Sequence, residues 1–481
     1  MKLSKRLDSN LEIIKERLGY NITFDLMIRE IEIGGRRSAM VFLQNFMSET
    51  DTILIMRELQ KVERDQIVPN TIEKVLRRVI PFMETESESD MDKIIYQILA
   101  GPIVVFIDGQ DEAIIVDVRK YPVRGVEEPE LERVTRGSRE GFVETLVFNV
   151  LLIRRRLRDP YLRVEMQQMG ERNKSDVAIV YLEGVADPKL IADIKERLRE
   201  SKEDMLPFGS RALEEYLVNN RYSIIPTIRY TERPDVAAAH LLEGHVILLV
   251  DTTPTALILP CTIWHFTQHA EEFFQNPVIG TYLRWVRTFA TFMALILTPL
   301  WLALFLQKDS LPEWLQFIGP SETNYTVSVI LQFFILEVGI DFIRMALIHT
   351  PNALATSLGI VGAILLGDLA VSVGLFIPET ILYTSLVVIG SFAIPTIEFS
   401  LAVRLGRYLL LVFAAIGKLP GFIVGLLVIF LALVSKRSLG VPYLWPLIPF
   451  NWEALSSLLF RSPVPKAMHR VNIWPPRKDR T

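Results

Sequence analysis

The stretch Tyr325–His349, YTVSVILQFFILEVGIDFIRMALIH, limits what this chain can fold into more than any other. It is long enough to cross a bilayer and apolar enough to stay there, yet it carries Gln332, Glu337, Asp341 and Arg344. Spacings of four (Glu337 to Asp341) and seven (Glu337 to Arg344) put these three charged groups on one helical face. Charges at membrane depth are costly and normally face a bundle interior or a water-filled path. A fold must therefore give this helix neighbours.

The totals agree with a chain of mixed character. Of 481 residues, 50% are hydrophobic, and the mean hydropathy is +0.29, high for a protein without a membrane part. The formal net charge of −4 points neither toward nucleic acid nor away from it. A single cysteine, Cys261, makes no internal disulfide and no cysteine metal cluster; in its apolar stretch it reads as a small buried hydrophobe. The opening MKLSKRLDSNLEIIKERLGY lacks an uninterrupted apolar core and reads as an amphipathic helix, not a signal peptide. The N-terminal region is expected on the cytoplasmic side.

The expected fold is an α+β cytoplasmic N-terminal region of two subdomains, followed by an all-α polytopic membrane domain of about six spans. Residues 1–90 read as a small, mostly helical subdomain with one hairpin around Phe24–Phe46, and the acidic run Glu84–Asp92 as a solvated linker. Residues 91–284 read as α/β. Gly101–Val118 is strand, turn, strand, with Asp108–Gly109 supplying the turn. Asp176–Val185 is a strand, and Asp187–Pro188 opens a helix. From 285 to 437 the candidate spans are Phe289–Leu306, Val327–Leu347, Thr356–Leu375, Ile381–Ile397, Leu401–Ile416 and Phe422–Val434. Between the last two, Gly417–Gly421 (GKLPG) is either a tight hairpin or the break in a re-entrant segment. With six spans Arg284, Arg287, Arg344, His349, Arg404, Arg407, Lys436 and Arg437 all fall on one side, so the positive-inside bias favours six over five. Residues 438–481 form a basic, proline-containing tail suited to anionic headgroups.

Each candidate site has two readings. Glu337 and Asp341, with Gln332 along the same helix and Asp368 in the next span, suit a path for monovalent cations if several copies surround an axis. Equally, Asp341 and Arg344, three apart, suit a structural ion pair that buries a neutralised set. Gly359, Gly362, Gly367 and Gly374 suit close helix packing. Arg154–Arg155–Arg156 with Arg158 and Arg163 is the densest basic patch. It lacks aromatic interleaving, so it reads as a solvated face paired with Glu128, Glu130 and Glu132 rather than a nucleic-acid site. His265 and His269, four apart near Glu271 and Glu272, have metal-ligand spacing but read as an ordinary surface helix. No P-loop, GxSxG or HExxH is present, so no catalytic residue, metal or cofactor is expected.

The run Asp117–Leu162 (DVRKYPVRGVEEPELERVTRGSREGFVETLVFNVLLIRRRLRDPYL) resembles the signature region of the GerA-type spore germination proteins, the A subunits. YLEGV at Tyr181–Val185, TERPD at Thr231–Asp235 and EGHVILLVD at Glu243–Asp251 follow in family order, as do LEVGIDFIR and HTPNALATSLGIVGAILLGD. The resemblance covers residues 20 to 440. Ser138 stands where nutrient-receptor subunits usually have proline, which points to another branch of the family. The resemblance implies a protein of the spore inner membrane and an oligomeric ion channel that releases cations when dormancy ends. It also implies partnership with other germination membrane proteins. A non-conducting scaffold or a nutrient-receptor A subunit are the alternatives.

Overall fold

A computed structural model describes residues 1–463 apart from 45, 81–83, 121–128, 130–131, 201–208, 219–221, 316–317, 319–324 and 350–369. Two compact units emerge: Met1–Arg221 with Ile228–Pro260, and Tyr222–Thr227 with Cys261–Lys466.

The first unit is built on two five-stranded sheets, every recorded pairing antiparallel. The first sheet has the order β1-β2-β4-β5-β3, from β1 (Leu26–Ile33), β2 (Arg36–Leu43), β3 (Thr85–Glu88), β4 (Ile103–Ile107) and β5 (Ala113–Val116). In β4 the whole run is buried because both faces are covered. Val104 and Phe106 pack under α1 (Leu7–Leu18) and α3 (Met91–Ala100); Ile103, Val105 and Ile107 pack under α2 (Glu49–Gln60). Each such side chain contributes about 1.5–3 kcal/mol of burial. Gly109, at φ 84°, makes the β4–β5 turn expected from Asp108–Gly109.

The second sheet has the order β6-β7-β9-β10-β8, from β6 (Leu162–Met169), β7 (Ser175–Leu182), β8 (Arg229–Thr231), β9 (Val246–Val250) and β10 (Ala256–Leu259). The helices α4 (Leu146–Arg156), α5 (Pro188–Glu200), α6 (Gly209–Leu217) and α7 (Pro234–Leu242) accompany it. Asp187 caps α5 by accepting the Lys189 N–H at 2.9 Å. These sheets move two expected boundaries. The division at 90 falls inside the first sheet, whose strands come from both sides of it, so residues 1–90 are not a separate helical piece. The acidic run Glu84–Asp92 is no linker: it supplies edge strand β3 and the cap of α3, where Asp90 accepts from Asp92 and Lys93.

The second unit is helical: α8 (Pro277–Phe305), α9 (Val329–His349), α10 (Pro378–Phe392), α11 (Ile397–Ser435) and α12 (Trp452–Leu459). Helices lie at five of the six expected span positions; the greater part of Thr356–Leu375 is outside the described residues. By length and apolar composition α8 and α11 are able to cross a membrane.

α11 is folded in two. Lys418 leaves helical geometry (φ 52°, ψ −137°), and Pro420 follows it. Gly425 lies against Leu410 and Phe413, and Gly406 faces Ile429, so the two arms run antiparallel in contact. A straight helix of 39 residues would measure about 58 Å, twice a hydrocarbon core of about 30 Å. Folding gives two arms of about 30 and 25 Å. GKLPG is therefore a tight hairpin. Gly421 is required there, because a side chain would collide with the Phe413 carbonyl.

The unit's core gathers Trp301 and Leu302 of α8, Phe333 of α9 and Leu410, Leu411 and Phe422 of α11. Gly390 of α10 lets that helix meet α8, since a Cβ there would stand 3.0 Å from the Ala290 carbonyl. Large apolar side chains also point outward, among them Phe292, Leu386, Phe392, Leu405, Val412 and Leu427. Such a surface matches hydrocarbon rather than water.

Candidate functional site

The charged positions of α9 are held by helices far away in sequence. Glu337 is 1% exposed and meets Arg407 of α11 in a two-point bridge, Arg407 Nε to Oε1 and Nη2 to Oε2, each 2.6 Å. The remaining Arg407 nitrogen, Nη1, donates to the Ala294 carbonyl of α8 at 2.6 Å. One guanidinium therefore ties three helices. This geometry satisfies a buried charge, because fork-to-carboxylate pairing uses both oxygens.

One turn along α9, Asp341 pairs with Arg404 and accepts the Tyr408 hydroxyl at 2.7 Å. Its side chain is 29% exposed. The two acids and two arginines form a ladder, Glu337 with Arg407 and Asp341 with Arg404, as expected when helices pack antiparallel and both sets repeat about once per turn. At the other end Gln332 is buried. Its Oε1 accepts the Ile377 N–H at 3.0 Å and lies 3.0 Å from the Thr380 hydroxyl, and its Nε2 donates to the Val327 carbonyl at 2.8 Å. That links α9 to the start of α10.

These contacts redistribute the expected roles. The Asp341–Arg344 pair is not among the contacts of the described residues. Arg344 instead lies with its guanidinium over the Phe392 ring at 5.5 Å, and Asp341 is taken by Arg404 and Tyr408. Gly374 sits in a turn at φ 72°, where its carbonyl accepts the Thr326 N–H, so it shapes a loop and not a helix contact. Asp368, Gly359, Gly362 and Gly367 lie outside the described residues.

A second face of α9, about a quarter-turn or more round the helix, is unlike the charged one. Leu331, Ile335, Val338, Phe342 and Met345 are 43–63% exposed. Their spacings of four, three, four and three repeat every seven residues, the seam of helices that pack side by side. Gly339 on the same side has open space around it.

The basic patch around Arg154 resolves into structural pairs in the first unit. Arg154 is buried in a two-point bridge to Asp25 (2.9 and 3.0 Å) and also donates to the Leu162 carbonyl. Arg155 and Arg156 hold Glu140, and Arg163 reaches Glu183 at 2.6 Å. Glu132 bonds Arg229 and Thr231, while Glu128 and Glu130 lie outside the described residues. The patch is thus paired with acids, as expected, but with Asp25, Glu140 and Glu183; Arg154 and Arg163 are buried, while Arg155 stays exposed. His265 closes a capping box with Thr262, and His269 accepts the Glu271 N–H; each imidazole serves its own turn.

Sheets rich in paired charges, an outwardly apolar helical unit and an ion-pair ladder buried among its helices define a membrane protein with a large polar unit beside its apolar one in sequence. A family model described as Bacillus/Clostridium GerA spore germination protein matches residues 12–473. The chain belongs to this family of spore germination proteins. It is 42% identical to stage V sporulation protein AF of Bacillus subtilis (strain 168) over 97% of this chain and 95% of that protein. It is 30% identical to spore germination protein KA of the same organism, over 96% and 85%. Among solved structures, the N-terminal domain of the A subunit of the Bacillus megaterium spore germinant receptor GerK3 is 25% identical. The match covers 54% of this chain and 96% of that one, with a TM-score of 0.43.

Proposed function

We propose that the chain is an ion-channel subunit of spore germination. Several copies line up α9 around an axis and release monovalent cations when dormancy ends. The observation that carries this reading is the five-residue stripe of α9, which repeats every seven residues. The ladder fixes one face of the helix inside its own chain and leaves the Leu331–Met345 face for neighbouring copies. Phe342, the most exposed of the five, would form an apolar constriction that gates by dewetting. Asp341, less buried than Glu337 and beside Phe342, is the acid nearest such a path. Glu337 has the holding role. On this reading the helical unit crosses the spore inner membrane about six times with its N-terminal unit cytoplasmic, and its neighbours include other germination membrane proteins. The relatives named above, a stage V sporulation protein and a germination protein, support that setting.

Potassium-loaded liposomes carrying the purified chain test the reading. Phe342→Asn should raise potassium efflux at least several-fold over the parent, with unchanged protein incorporation. Equal efflux from the parent, Phe342→Asn and empty liposomes would remove the channel.

A second reading is favoured by one observation: both α9 acids are already neutralised within the chain. A scaffold that conducts nothing would use the ladder only to hold its helices. It predicts no efflux from any variant, with full germination in spores carrying Phe342→Asn.

A further inference from the structure

At one end of the helical unit, the segment that leads into α8 is joined to the segment that follows α11. The Cys261 N–H donates to the Ser438 hydroxyl at 3.0 Å, and the Ile263 N–H to the Tyr443 carbonyl at 3.0 Å. Thr396, just before α11, donates its hydroxyl to the Phe266 carbonyl at 3.2 Å. Arg284 donates to the Ser457 and Leu458 carbonyls and Trp285 Nε1 to the Leu459 carbonyl, so the last turn of α12 is fixed against α8. The start of α8 and both ends of α11 therefore meet one folded platform.

This platform turns aromatic rings outward. Phe450 and Trp452 are 66% and 61% exposed, with their rings 6.4 Å apart. Phe460 is exposed too, and its ring lies 5.5 Å from that of Trp285. Polar groups share the surface, since Asn451 and Glu453 are exposed on either side of Trp452. Four of the seven tryptophans, Trp264, Trp285, Trp445 and Trp452, lie on the platform or on the turns of α8 that it holds. Hydrocarbon would reject Asn451 and Glu453, and water would leave the rings unburied. The layer where headgroups meet acyl chains accepts both, and tryptophan concentrates there.

A second copy of the chain is the other candidate cover, and continuity argues against it. Through Phe460 and Trp285 the patch runs into Tyr282, Phe289 and Phe292, which point outward on α8, a helix of membrane length. Arg437, exposed just past α11, sets a cation at the same end. We propose that the platform is an in-plane anchor. Phe450, Trp452 and Phe460 sit in the headgroup layer of the bilayer that α8 and α11 cross, and they hold the ends of those helices at that depth. The attachment is apolar, so salt does not release it. The anchor needs only that these helices cross a membrane and is independent of conduction.

The test uses the full chain in phosphatidylcholine liposomes. Cys261 is buried, so a cysteine introduced at the surface alone takes a nitrobenzoxadiazole maleimide. Trp452→Cys and Phe450→Cys carry this reporter; each replaces an exposed side chain, and either serves if the other does not fold. Lipid spin-labelled near the top of its acyl chain should quench both reporters several-fold more than lipid labelled near the chain end, with the ratio unchanged in high salt. Phe292→Cys, about 10 Å further along α8 than Trp285, should show the reverse preference. Quenching of the two reporters by aqueous iodide and by neither lipid would overturn the anchor, and so would a preference for the chain-end label. A disulfide between copies through Trp452→Cys, with the lipid quencher excluded, would assign the patch to a second copy and overturn it as well. If Phe292→Cys is also untouched by lipid, the membrane setting of α8 falls together with the anchor.

Discussion

Glu337 and Arg407 show what one residue can decide here. Removing either partner strands the other charge among α8, α9 and α11, a loss of about 3–5 kcal/mol. Arg407→Leu should therefore lower the protein's melting temperature and its level in the membrane. Glu337→Leu with Arg407→Leu together should recover most of both, because an apolar pair of similar volume carries no buried charge. Thermal melting of the three purified variants checks this; equal losses in the single and double variants would show that the pair is not what holds the helices. Ser138 offers a smaller case. Its hydroxyl accepts from Arg156 at 2.6 Å, and a proline at that position, usual in nutrient-receptor subunits of the family, would remove the acceptor. Glu337 was legible in the sequence as a buried acid, but its partner was not. Arg404 and Arg407 read there as charges marking a loop, because nothing in a one-dimensional pattern says which distant helix lies alongside. The available signal was the match between a pair of acids four apart and a pair of arginines three apart.

At the scale of an element, α11 and α9 each do two things. The α11 hairpin turns at Lys418 and depends on Gly421, whose Cα lies against the Phe413 carbonyl. Gly421→Val should pry the arms apart and shift Arg404 and Arg407 away from α9, with loss of protein from the membrane fraction. Gly417→Ala, where no atom lies within 4 Å, should be tolerated. Membrane-fraction blots of both variants read the difference, and equal levels would argue against the close approach. The hairpin was half legible: GKLPG marked a break, and only the contacts of Gly425 and Gly406 choose the turn over a re-entrant loop. The α9 stripe is not legible in the sequence. Period-seven spacing stands out when apolar residues alternate with polar ones, and in a helix apolar almost everywhere the contrast vanishes. Strands with turn chemistry, such as Gly101–Val118, were easier, since Asp108–Gly109 fixes the turn by local sterics alone.

For the whole molecule, the division into a polar α+β part and an apolar helical part follows from composition. The boundaries do not, because β-sheets recruit strands across any local change of pattern: β4 and β5 complete a sheet begun at β1. Membership of the GerA family places the chain in spore germination. Conduction requires more, since a single α9 encloses no path and its exposed stripe needs neighbours. The molar mass of the purified full chain in detergent, corrected for bound detergent, tests this most directly. A closed ring of several 55.0 kDa copies is the result predicted here, and a strict monomer at every concentration would contradict it.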